Sequence, residues 1–113
     1  MNLHQWDVVR VRVRSEDKDV HPAVVLSREE WCQDERHLAI NVLYCTTKRP
    51  ADEPGPLDVL LNGADGLERL TLTGCGFVYS VPRVRITAVA GRVSPERRRR
   101  IGRTIVAAFR LPL

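Results

Sequence analysis

No Cys-x-x-Cys pair occurs in this chain, and its three cysteines, Cys32, Cys45 and Cys75, lie far apart. That spacing excludes a zinc ribbon or a disulfide framework, and an odd number of thiols cannot all pair within one molecule. Reduced thiols of a cytosolic protein are the expectation. A metal site built from Cys32, His37 and Cys45 is the alternative, but its spacing follows no familiar ligand pattern. No cofactor is expected. The chain also lacks an apolar run approaching the about 20 residues that span a bilayer. Met1-Asn2-Leu3-His4-Gln5 has no basic stretch followed by an apolar one. Neither export nor membrane insertion is expected, and the location is cytoplasmic. Repeats and low-complexity tracts are missing too. Acidic residues are nearly absent from one end: residues 83–113 hold nine Arg against the single Glu96, whereas residues 1–82 hold nine Lys/Arg against thirteen Asp/Glu. Such a block points to a polyanionic partner, nucleic acid or an acidic protein segment, or to a solvated arginine-rich helix. With 113 residues the chain forms one domain, 1–113, that buries enough surface to hold a core without staples.

The stretch Val20-His21-Pro22-Ala23-Val24-Val25-Leu26-Ser27 organises what is present. Pro22 forces an extended approach, and the four apolar residues after it are too few for a helix but suit a strand buried on both faces. His21 is thereby delivered to the mouth of a small β-fold. Ser27-Arg28-Glu29-Glu30 reads as a capping box that opens a short helix. Ahead of it, Val9, Val11 and Val13 alternate with Arg10, Arg12 and Arg14, so three arginines point away from the core of a first strand. Ser15-Glu16-Asp17-Lys18-Asp19 is a polar turn. A third strand runs from about Leu38 to Tyr44 or Cys45 and ends in Thr46-Thr47-Lys48-Arg49-Pro50; a surface loop, Ala51 to Pro56, follows. Leu57–Leu61 is a fourth strand, and Asn62-Gly63-Ala64-Asp65-Gly66 carries hairpin-turn residues leading to a fifth at about Leu67–Leu72. Phe77–Val81 and then Val84, Ile86 and Val89 supply the last strands. Ser94-Pro95-Glu96 opens the terminal helix with a capping serine, proline at the first position and an acid in the first turn. Ile101, Ile105, Ala108 and Phe109 share one face of it, while Arg99, Arg103 and Arg110 lie on another. Gly102 costs that helix up to about 1 kcal/mol relative to alanine, which suggests a close contact there. Short strands followed by one helix predict a mainly β fold, a small, partly open antiparallel barrel closed on one side by the C-terminal helix.

In this order the segments resemble the MazF/PemK (plasmid-maintenance toxin) family of endoribonucleases. Gln5-Trp6-Asp7-Val8-Val9 stands at the family's opening Gly-Asp-hydrophobic strand, and His21-Pro22-Ala23-Val24-Val25-Leu26-Ser27 resembles its Arg-Pro-Ala-Val-Val-Leu-Ser segment. Tyr44-Cys45-Thr46-Thr47 resembles Pro-x-Thr-Thr/Ser, and Leu57-Asp58-Val59-Leu60-Leu61 resembles Phe-Glu-Val-x-Leu. Gly91-Arg92-Val93-Ser94-Pro95-Glu96 is similar to the family's Gly-x-Leu-Ser-Pro-Glu at the start of its last helix. The resemblance implies an SH3-like barrel, a homodimer, and the toxin of a type II toxin-antitoxin pair. That toxin cleaves single-stranded RNA without a metal and is neutralised by a cognate antitoxin whose acidic tail covers the RNA groove. It places catalysis on the residue before the proline, here His21, and on the first threonine of the pair, here Thr46. Arg10, Arg12, Arg14, Thr47, Lys48 and Arg49 are the candidate RNA-binding residues, with solvated charge as the competing reading of the cations.

Three departures from the family pattern bear on function. The arginine position is occupied by His21, which exchanges protons near neutral pH but brings neither permanent charge nor a bidentate grip on phosphate. Gly76-Phe77 stands where many members have Asp-Gln, and the loop Ser15 to Val20 is shorter than theirs. The alternatives are therefore a catalytically inactive relative that binds nucleic acid or an antitoxin-like peptide, and a gyrase inhibitor as in the CcdB group. The latter relies on a tryptophan near the end, and this chain finishes Phe109-Arg110-Leu111-Pro112-Leu113. Thr46 also reads as a strand residue whose hydroxyl satisfies a turn, and Trp6 and Trp31 as base-stacking or packing residues.

Overall fold

The computed structural model describes residues 1–12, 19–47 and 53–112. Val13, Arg14, the turn residues Ser15 to Lys18, and Lys48, Arg49, Pro50, Ala51 and Asp52 lie outside them. Seven strands form one open, antiparallel sheet: β1 (Asp7–Val11), β2 (His21–Val25), β3 (Ala39–Thr46), β4 (Asp58–Leu61), β5 (Thr71–Gly74), β6 (Tyr79–Pro82) and β7 (Ile86–Arg92). Helix α1 (Glu29–Gln33) joins β2 to β3, and α2 (Pro95–Phe109) ends the fold. The strand order is β4-β5-β3-β2-β1-β7, with β6 also on β3. Strand β3 splits one edge between two partners, Ala39–Val42 against β6 and Cys45–Thr46 against β5. That division lets the sheet fold over itself, so its central strands are covered on both sides.

The expectation for Ala23-Val24-Val25 holds. Ala23 and Val25 join Val9, Val11, Ile40 and Val42 in one core, while Val24 joins Val8, Leu43 and Leu61 in the other. The second core is closed by α2 through Ile101 and Ile105; Phe109, placed on the same face by its spacing, is half exposed. Among the described residues β1 runs Asp7–Val11, and Arg10 and Arg12 are exposed as expected.

Several local expectations are corrected, each because a tertiary partner takes the group that local chemistry would have used. The Ser27 hydroxyl accepts the Asn41 N–H at 2.8 Å, so it caps no helix. Arg28 occupies the N-cap of α1 without a side-chain cap, and Glu30 pairs with Arg28 at 2.7 Å. The expected hairpin forms, β4 pairing antiparallel with β5 from Leu61↔Thr71, but residues 62–66 open its connection as a 3₁₀ turn and β5 begins only at Thr71. Ser94 is at the N-cap of α2, but its side chain makes no cap bond. Instead the buried Asp65 carboxylate accepts the Ser94 N–H at 2.9 Å and the Arg97 Nε–H at 2.8 Å. A negative charge is thus fixed at the positive end of the helix. The turn carrying Asp65 presses on β7: a Cβ on Gly91 would lie 2.1 Å from the Asp65 carbonyl oxygen, and Gly66 has φ +81°.

Gly102 meets no such neighbour. A Cβ there would find nothing within 4 Å, so the expected close contact does not exist. Gly102→Ala should therefore stabilise the protein, by up to about 1 kcal/mol from helix propensity alone. A urea midpoint raised above that of the wild type is the expected result; an unchanged or lowered midpoint would contradict it.

The candidate ribonucleotide cleft

His21 is the first residue of β2 and lies opposite Val11 of β1, half-buried at the end of the sheet. Strand β2 pairs with β3 through Ala23↔Tyr44. Ala23↔Tyr44 is the last pair of this ladder, and Thr46, at the end of β3, pairs with Leu72 of β5 on the other edge. The proline that follows His21 needs no ladder donor, and Arg10 is its partner across the strands. Bringing His21 and Thr46 together requires the β2–β3 register to continue two residues past its last pair.

The same alternation separates His21 from Arg10 of β1. Val11 and His21 belong to the face of the first core, whereas Arg10 and Pro22 belong to the opposite one. Arg10 and Thr47 line a second concavity of about 320 Å³ with Glu68 and Arg69. Arg10 therefore puts no guanidinium beside His21; Arg12 follows the end of β1 and its N–H donates to the Arg85 carbonyl at 3.0 Å, while Arg14, Lys48 and Arg49 lie outside the described residues. The cation next to His21 is Arg85, which the sequence reading did not single out. It comes from the 3₁₀ turn Arg83–Arg85 between β6 and β7 and shares with His21 a cleft of about 360 Å³ that Tyr44, Cys45, Tyr79 and Ser80 also line. No carboxylate lines this cleft among the described residues.

Burial pushes the Tyr44 phenol above its ordinary value, with Tyr79 adding to the effect and the Arg85 guanidinium opposing it. Tyr44 consequently offers a hydroxyl donor at neutral pH. The Cys45 thiol, also at the cleft, is pushed up to about 12 by burial, and Cys32 and Cys75 to about 11 for the same reason. None of the three is a nucleophile at physiological pH. Cys32 points at the Ser27 carbonyl and His37 stacks on Trp31, 4.7 Å between ring centroids, so the alternative metal site is not assembled. Among the described residues no three His, Cys, Asp or Glu side chains converge as a metal site.

The basic end of the chain is divided by use. Arg83 donates to four carbonyls, of Trp31, Cys32, Asp34 and His37, and so satisfies the open end of α1. Arg97 and Arg98 bond to Asp65 and the Val93 carbonyl, whereas Arg99, Arg100, Arg103 and Arg110 are exposed. Trp6, whose backbone sits at φ 75°, packs on the second core, and Trp31 is occupied by His37; neither lines the cleft.

The model of the PemK-like, MazF-like toxin of type II toxin-antitoxin systems matches residues 4–109. The chain belongs to this family. Its fold is that of the solved toxins. A mycobacterial endoribonuclease in complex with its cognate antitoxin superposes with a TM-score of 0.78 at 15% identity, covering 99% of this chain and 97% of the other. The Mycobacterium tuberculosis toxin MazF-mt6 gives 0.77 at 17% identity over 95% and 99%. A MazE–MazF structure from Deinococcus radiodurans gives 0.77 at 13% identity over 96% of each chain. No curated protein matches the sequence significantly. As in the solved MazF toxins, the sheet is open and the chain ends in a helix. No helix among the described residues of this PemK-like chain is long and apolar enough to cross a membrane.

Proposed function

We propose that this chain is the cytoplasmic toxin of its type II pair and a metal-independent endoribonuclease acting on single-stranded RNA, messenger RNA included. The observation that carries the reading is that His21 and Arg85 line one cleft together with Tyr44. Thr46 enters the proposal through the family resemblance and through continuation of the β2–β3 register two residues past Ala23↔Tyr44. In the reaction a 2′-hydroxyl attacks the adjacent phosphorus; the new O2′–P bond forms as the P–O5′ bond breaks. His21 takes the 2′-hydroxyl proton or supplies one to the departing O5′. The Thr46 hydroxyl and the Tyr44 phenol donate to phosphoryl oxygens, and Arg85 contributes the fixed positive charge that a histidine in the family's arginine position does not. Arg10 and Thr47, around their own concavity, and Arg12 contact RNA beyond the reacting phosphate, as do Arg14, Lys48 and Arg49.

The mycobacterial relative described as an endoribonuclease with its cognate antitoxin supports both the activity and a partner that neutralises it. An acidic antitoxin segment laid over the basic cleft, and a homodimer of this chain, complete the proposal. Purified protein is expected to cut a long mixed-sequence RNA in EDTA; RNA left intact at a dose where an active MazF cuts would contradict it. The histidine exchange also favours a specific second reading, a binder on the same scaffold, which predicts RNA retention without turnover.

A further inference from the structure

Phosphate chemistry at His21 leaves open what holds the bases. Along β6 the side chains emerge from the core one after another: Val81 is 5% exposed, Tyr79 43%, and Phe77, just before the strand, 67%. Their rings form a connected row. Tyr44 meets Tyr79 edge-on at 4.9 Å, and Phe77 lies nearly parallel to Tyr79 at 5.2 Å with a 27° interplanar angle. Tyr44 and Tyr79 line the same cleft as His21 and Arg85, so the row starts at that cleft and ends in solvent. An exposed phenylalanine stacked on an exposed tyrosine leaves π-surface open to solvent among the described residues.

We propose that Tyr44, Tyr79 and Phe77 form a stacking platform for bases of single-stranded RNA flanking the phosphate held at His21 and Arg85. This rests on the ribonuclease reading and deepens it. The occupant follows from the combination of groups. A cationic cleft that no carboxylate lines among the described residues suits a phosphate, and aromatic faces directly beside it suit the planar base attached to that backbone. An acidic peptide would match the charge but not the row of rings. A tyrosine and a phenylalanine present no directional code, so the platform orders the strand without strongly selecting its sequence.

The test is equilibrium binding of the full-length protein to a fluorescent 2′-O-methyl oligonucleotide, which has no free hydroxyl to attack, beside an abasic oligonucleotide of the same length. Phe77→Ala and Tyr79→Ala are each expected to weaken binding of the base-bearing strand about tenfold, within the range for losing one stacked base. Phe77→Tyr should restore it. The abasic strand should bind wild type weakly, and the alanine variants should not weaken it further. Because Phe77 and Tyr79 are exposed, the variants should keep the wild-type melting temperature. Four results overturn the proposal: variants that bind as wild type does, an abasic strand bound as tightly as the complete one, no binding by wild type, or a Phe77→Ala protein that changes from dimer to monomer with its affinity per chain intact. The last would assign Phe77, with neighbouring Val78 and Phe109, to a contact with a second copy. Failure of the ribonuclease reading is distinct: the stacking pattern would hold with the methylated strand while ordinary RNA stayed uncut.

Discussion

Replacing Asp65 by alanine is expected to lower the unfolding free energy by about 3–5 kcal/mol, the range for removing one partner of a buried ion pair. This carboxylate has no exposure and accepts three bonds: from the Asn62 N–H at 3.0 Å, the Ser94 N–H at 2.9 Å and the Arg97 Nε–H at 2.8 Å. It closes the 3₁₀ turn after β4 and stands in for a side-chain cap on α2, so its loss loosens two elements at once. It also strands Arg97, whose side chain is only 20% exposed. Asp65→Asn, which keeps the shape and one acceptor oxygen, should lose less. Gly91→Ala strikes the same joint from the β7 side, where backbone atoms of Asp65 and Gly66 must retreat from the new methyl. Urea unfolding followed by circular dichroism checks all three; a loss below about 1 kcal/mol for Asp65→Ala would mean that α2 is held by Ile101 and Ile105 alone.

The largest effect on activity is expected at His21. Losing a positioned proton-transfer group costs about 10²–10⁴ in rate, so His21→Ala should lose that much in kcat while RNA binding, carried by Arg85 and the other cations, stays within a few-fold. Arg85→Gln should behave differently. Removing a charge that stabilises the developing phosphorane costs about 10²–10³ in kcat, and it should also weaken binding and flatten its salt dependence. His21→Arg probes the family's own residue at this position, and it should rescue Arg85→Gln in part, because it returns a guanidinium to the cleft. Single-turnover cleavage with saturating enzyme, beside titrations of an uncleavable strand, separates the two effects. Equal losses of binding and turnover in His21→Ala would place the imidazole in RNA retention and not in proton transfer.

What the sequence made legible is the part of the fold written in short-range pattern. Pro22 before three small apolar residues carried the central strand, the valine–arginine alternation carried β1, and Ser94-Pro95-Glu96 carried the start of α2. The pairing of His21 with Thr46 as partners in one site comes only from the family resemblance, because no local rule aligns residues joined through α1. What stayed hidden depends on partners remote in sequence. The Ser27 hydroxyl goes to Asn41 of β3, and the cap of α2 comes from Asp65. The helix pattern at Ser27 and the serine at Ser94 were locally sound, and tertiary hydrogen bonds replaced both. Arg85 was hidden for a similar reason. Within an arginine-rich end its role is set by a 3₁₀ turn, and neighbouring Arg83 is spent on the carbonyls of α1. Strand alternation itself held the signal that Arg10 faces away from His21, once the β1–β2 register was known.

The central claim, that this cleft carries out ribonuclease chemistry, is met most directly by end-group analysis of RNA cut in EDTA by wild type, His21→Ala and Thr46→Ala. Fragments ending in a 2′,3′-cyclic phosphate and beginning with a 5′-hydroxyl, abundant with wild type and nearly absent with either variant, are the predicted result. Cutting that persists unchanged in both variants, or an uncut substrate with wild type, would contradict it.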